Sequence, residues 1–70
     1  MLIRRFGGAV VGADAKGNMH VSQLLVETSE PLSFELLEEL KAKQSKRWKE
    51  VGLAVKPEDV VILNLFSLGA

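Results

Sequence analysis

A chain of 70 residues with a hydrophobic share of 47% and a charged share of 26% is large enough for one small folded domain and too apolar to be disordered. Its formal net charge of +0 excludes the long-range field that would draw in nucleic acid or an anionic membrane. With 0 cysteines, disulfide reinforcement is excluded and a structural metal is disfavoured, which leaves association as the reinforcement open to so small a core.

The N-terminal stretch MLIRRFGGAVVG places two arginines before apolar residues. Glycines interrupt the apolar run and Asp14 follows too soon for a secretory leader, so the segment is expected to belong to the folded protein. No run approaches the roughly 20 apolar residues of a membrane-spanning helix. Without cysteine or a leader, a cytoplasmic location is the expectation, with no membrane partner.

Leu2 to Gly12 mixes β-branched, aromatic and small residues and runs into GADAKGN, the pattern of a strand entering a turn. A second strand is predicted from about Met19 to Glu27, closing an antiparallel hairpin with its tip near Asp14 to Asn18. Gly7 and Gly8 fall inside the first strand, where paired glycines mark a bulge, a bend or the close approach of another backbone. The glycines of FGGAVVGADAKG do not form a phosphate-cradling loop, because the required lysine and hydroxyl residue do not follow.

Thr28 to Ser33 contains Pro31 and ends on a serine suited to cap a helix. From there Phe34, Leu37, Leu40, Gln44, Trp48 and Val51 recur at three- and four-residue steps, which predicts an amphipathic helix over Ser33 to Val51. Gln44 is the one polar residue in that stripe. Glu35, Glu38, Glu39, Ala42, Lys43, Lys46 and Lys49 form the solvent side, and Gly52 followed by Leu53 predicts a left-handed stop with an apolar contact.

The final segment, Val60 to Leu68 (VVILNLFSL), is apolar on both faces of a strand. Simple alternation places Val60, Ile62, Phe66 and Leu68 on one side and Val61, Leu63 and Leu65 on the other. One helix covers one face, so the other is expected to meet a second copy or another partner. A crossover helix between two strands would place the second and third strands parallel. The expectation is a single α+β domain over residues 1–70, with one helix on a three-stranded mixed sheet in the order strand, strand, helix, strand.

Few residues suggest chemistry. The basic run Lys41 to Lys49 encloses Trp48, but the lysines complement the helix dipole and Trp48 belongs to the inward stripe, so nucleic acid is not an expected partner. Arg4 and Arg5, adjacent in a strand, point to opposite sides, and one of them could hold an anionic small molecule. His20 lies beside the turn carrying Asp14 and two residues from Ser22, without the companions of a metal site or a catalytic set. Arg4, Arg5 and His20 are therefore the candidate ligand-binding residues. No catalytic residue, metal or cofactor is assigned.

From Val21 to Phe66 the chain shows a strand, a helix begun after a serine, a glycine, the tripeptide Pro57, Glu58 and Asp59, and an apolar strand. This order resembles the strand-helix-strand unit of the tautomerase superfamily. The resemblance implies trimers or hexamers with pockets between subunits, whereas the position of that family's catalytic proline, after the initiator methionine, holds Leu2 here. The leading expectation is a non-enzymatic homo-oligomer whose contact includes Phe6, Val61, Leu63 and Leu65 and presents an interaction or ligand surface. The alternative is a small-molecule enzyme or binder with a pocket between subunits.

Overall fold

A computed structural model of the chain describes residues 3–68, so Leu2, expected in the first strand, lies outside them. Strand β1 (Arg4–Ala13) turns into β2 (Met19–Thr28), helix α1 (Phe34–Glu50) follows, and a 3-10 turn at Pro57–Asp59 leads into β3 (Val60–Ser67). The shape is elongated, 42 × 19 × 18 Å.

The fold is α+β, but the sheet is antiparallel throughout. Its order is β2-β1-β3, with β1 central and paired antiparallel to both neighbours. This corrects the mixed sheet. The chain does cross over through α1, and β2 and β3 point the same way, yet β1 lies between them and no parallel ladder forms. The parallel pairing expected across the strand-helix-strand segment is thus not the arrangement adopted. A central β1 is favourable because its small residues admit close neighbours on both flanks.

The hairpin tip is built on Asp14. Its backbone N–H donates to the Asn18 carbonyl at 2.9 Å and its carbonyl accepts from Gly17 at 3.0 Å, while its Oδ1 accepts from the backbone N–H groups of Lys16 and Asn18, both at 2.9 Å. Gly17 at φ 85 supplies the left-handed residue this turn requires.

Both ends of α1 follow the sequence reading. The Ser33 hydroxyl accepts from the Leu36 N–H at 3.1 Å, satisfying one orphan donor of the first turn. At the other end Gly52 has φ 87, its N–H donates to the Lys49 carbonyl, and the Leu53 N–H donates to that of Trp48. These two bonds are the Schellman pattern, and Leu53 packs against the core cluster to which Trp48 belongs. Burial centres on Leu40, Gln44 and Trp48, while Phe34 and Val51, the ends of the expected stripe, are exposed.

Helix α1 covers one face of the sheet. The core consists of Val10, Leu24, Val26, Leu40, Trp48, Val55 and Val60, with Phe6, Leu37, Leu53, Ile62 and Leu65 packed against it. Trp48 lies over Gly12, where an added Cβ would come within 2.6 Å of its ring, and Ser45 anchors the following loop by donating to the Val55 carbonyl. Arg4, Phe6, Gly8, Val10 and Gly12 face this side by alternation, and their cross-strand partners His20, Ser22, Leu24, Val26 and Thr28 share it.

Strand β3 does not alternate simply. Val10 pairs with Ile62 and Ala9 with Asn64, a register shift that leaves Leu63 as an extra residue. Beyond this bulge the faces exchange, so Leu65 turns inward while Phe66 and Leu68 turn away from the helix. Two contacts show the latter directly, because a Cβ on Gly7 would meet the Phe66 ring at 3.3 Å and Leu68 Cδ2 at 3.4 Å. The expected sides of Leu65, Phe66 and Leu68 are thereby corrected. A glycine at position 8 permits the bulge, since its Cβ would stand 2.1 Å from the Asn64 carbonyl oxygen.

Candidate functional site

The face of the sheet opposite α1 has no cover among the described residues. On β1 it presents Arg5, Gly7, Ala9, Val11 and Ala13, and on β2 Met19, Val21, Gln23, Leu25 and Glu27. Strand β3 adds Val61, Asn64, Phe66 and Leu68, with Leu63 at the bulge. The large apolar side chains among these are Met19, Val21, Leu25, Val61, Leu63, Phe66 and Leu68, all between 49% and 68% exposed. At on the order of 100 Å² each they present roughly 700 Å² in total, divided by Gln23 and Asn64 into two parts that are each comparable with the 300–600 Å² of the largest apolar patch on a typical monomer.

Small side chains on β1 and larger ones on β2 and β3 give this face its relief. Polar groups occupy two places. Near one end Arg5 Nε approaches Glu27 Oε1 at 3.5 Å, with both side chains more than half exposed. Across the middle, Gln23 and Asn64 flank Ala9 on either side. Asn64 Oδ1 accepts from the Ala9 N–H at 2.9 Å, replacing a ladder bond that the bulge removes.

Of the residues expected at an interface, Val61 and Leu63 are on this open surface. Phe6 and Leu65 are placed on the helix side and packed against the core. Sequence reasoning missed Met19, Val21, Leu25, Phe66 and Leu68 as members of the surface, and Gln23 and Asn64 as its polar centre. The signal for the first three was present in β2, where odd positions from Met19 to Leu25 are apolar apart from Gln23.

The candidate ligand residues do not converge. Arg4 and Arg5 are exposed at the start of β1, with Arg4 on the helix side and Arg5 on the open side. His20 lies opposite Gly12, about 23 Å of strand from Arg5 at 3.3 Å per residue. His20 Nε2 is 2.8 Å from Asp14 Oδ2, in side chains 24% and 11% exposed. An ionised carboxylate only accepts, so Nε2 carries the proton of this bond. The His20 bond above all, and then the Asn18 and Lys16 N–H groups, hold the Asp14 carboxyl down at about 2 against a partial opposing effect of burial.

The His20 ring also meets Trp48 at a centroid distance of 6.4 Å. A shallow groove of about 320 Å³ runs past Asp14 and His20, between the hairpin tip and the Gly52 to Ala54 turn. Asp14 ties the loop and orients His20; Ser22, on the same side of β2, donates to the Gln23 carbonyl at 3.3 Å. Trp48 is buried, so the basic residues Lys43, Lys46 and Lys49 have no exposed aromatic beside them for stacking on a base. Among the described residues no group of three or more His, Cys, Asp or Glu could hold a metal, and no helix is long and apolar enough to cross a membrane.

Comparison of the chain with protein-family models, curated proteins and solved structures gives no match.

Proposed function

We propose that this protein is a small self-associating α+β domain whose open sheet face is buried against a second copy, forming a non-enzymatic interaction module. The observation that carries the reading is the uncovered apolar surface on Met19, Val21, Leu25, Val61, Leu63, Phe66 and Leu68. Its roughly 700 Å² is close to the about 800 Å² that each partner contributes to a standard interface.

Size and charge support a second copy as the occupant. A single core in a chain this short supplies only about 3–5 kcal/mol of stability, and covering the other face converts a solvent-exposed liability into a second core. Two sheets stacked face to face about 10 Å apart are a common packing arrangement. With a net charge of +0, no overall repulsion opposes the approach of identical chains.

The test is mass determination by size-exclusion chromatography with light scattering at micromolar concentration. A dimer, or a higher even assembly built from it, is expected. A monodisperse monomer refutes the proposal.

A further inference from the structure

Of the two polar places on the open face, the Arg5 and Glu27 pair at one end and the amides across the middle, the central one bears on how two copies meet. Gln23 of β2, Ala9 of β1 and Asn64 of β3 form one row across the sheet. On one side of that row lie Val21, Val11 and Val61; on the other lie Leu25, Gly7 and Phe66. The row is a belt of two exposed amides between two apolar patches.

Resting on the self-association proposed above, we infer that the second copy packs antiparallel, across a two-fold axis perpendicular to the strands at the level of Ala9. The Gln23 and Asn64 belt of one copy then meets the belt of the other. A copy displaced by one row lays these amides on leucine, valine or phenylalanine. Each amide stripped of water without a partner weakens association by about tenfold or more. The belt thus acts as a register mark, in the way a single polar residue fixes pairing in a coiled coil.

Belts also coincide if the two-fold axis runs along the strands, but that arrangement fits less well. It places Arg5 over the partner's Arg5 and stacks the bulky patch of Leu25 and Phe66 on its own counterpart. The perpendicular axis sets Leu25 and Phe66 over the partner's three valines, so that large residues face smaller ones and interdigitate. It moves the two Arg5 residues to opposite ends of the assembly. It also brings Gln23 opposite the partner's Gln23, and an amide carries both donor and acceptor and so pairs with itself.

A charge exchange at this position tests the arrangement. Gln23 is exposed on an edge strand, so Gln23→Glu and Gln23→Lys should keep the wild-type circular dichroism. Each alone faces its own charge across the axis and should dimerise at least about tenfold more weakly. Mixed in equal amounts they should recover the dimer as a heterodimer, measured by light scattering. A wild-type-like dimer in either variant alone, or no recovery on mixing while the wild type is dimeric, overturns the axis and leaves self-association standing. A monomeric wild type overturns self-association itself. As a second measurement, the chain has no cysteine of its own, so Gln23→Cys treated with a short bis-maleimide should give covalent dimer. Met19→Cys, about 26 Å from its counterpart in this arrangement, should not, and the reverse result refutes the inference.

Discussion

Gly7 and Gly8 are neighbours in β1, yet alanine at the two positions should have opposite consequences. A Cβ on Gly8 would stand 2.1 Å from the Asn64 carbonyl oxygen, 3.1 Å from its carbon and 3.4 Å from Leu65 Cα. All three are backbone atoms, and comfortable non-bonded separations are about 3.5 Å or more. To admit the methyl group, β3 must retreat or the bulge must dissolve. Dissolving it turns Leu65 outward, at about 2 kcal/mol of lost burial, and Asn64 inward, at about 1–3 kcal/mol for an unpaired amide. The combined cost of about 3–5 kcal/mol equals the whole stability one core supplies at this size. At Gly7 the nearest atoms belong to the Phe66 and Leu68 side chains at 3.3–3.4 Å, which are half-exposed and free to shift. Loss of unfolded-state entropy returns about 0.4–1 kcal/mol there. Thermal unfolding followed by circular dichroism should show Gly8→Ala unfolded or its Tm lowered by about 12 °C or more, and Gly7→Ala within about 8 °C of wild type, at about 4–8 °C per kcal/mol. Equal shifts, or a milder effect at Gly8, would refute the bulge as the element that sets the faces of β3.

Leu63 and Leu65, two residues apart, should also separate. Leu65→Ala is expected to lower Tm by about 4–16 °C, for about 1–2 kcal/mol lost from the core. Leu63→Asp should retain the helical circular dichroism signal and abolish the dimer in light scattering, because an unpaired carboxylate is then buried only on association; the opposite pattern would refute the assignment of faces. Acid should loosen the hairpin tip. The Asp14 carboxyl is held at about 2 in the folded protein against 3.8 ordinarily, so its contribution is present above about pH 4 and is lost as pH falls towards about 2. Asp14→Asn should therefore remove part of the decline in Tm over that window, and identical pH profiles for the two proteins would show that the His20 and backbone bonds to Asp14 are not maintained in solution.

The elements most legible in the sequence are those defined by local chemistry. Ser33 as a cap, Gly52 followed by Leu53 as a stop, and the glycine, aspartate and asparagine of the hairpin tip each act within a few residues, and each appears where its residue type predicts. Strand order was not legible in this way. The helix between β2 and β3 suggested a crossover between neighbours, but β1 competes for the same edge, and its small residues let β3 approach closely. The open face was legible as an excess of apolar residues in β3, whereas its membership was not, because one extra residue at Leu63 reverses every side chain beyond it.

Asn64 explains why that reversal is favourable. Strict alternation from Val60 would carry Ile62, Asn64, Phe66 and Leu68 to the helix side and place an amide where Leu65 now packs against the core. An unpaired amide there costs about 1–3 kcal/mol, a large fraction of what so small a domain possesses. With Leu63 bulged, Asn64 leaves the core, its Oδ1 accepts from the Ala9 N–H, and Leu65 enters to pack against the buried cluster. The pair of glycines at positions 7 and 8 is the counterpart on β1, one making room for the Asn64 carbonyl and the other for the Phe66 ring. The same substitution of faces that rescues the core sends Phe66 and Leu68 to the opposite side. The apolar surface available to a second copy is thus a direct consequence of removing one polar residue from the first core.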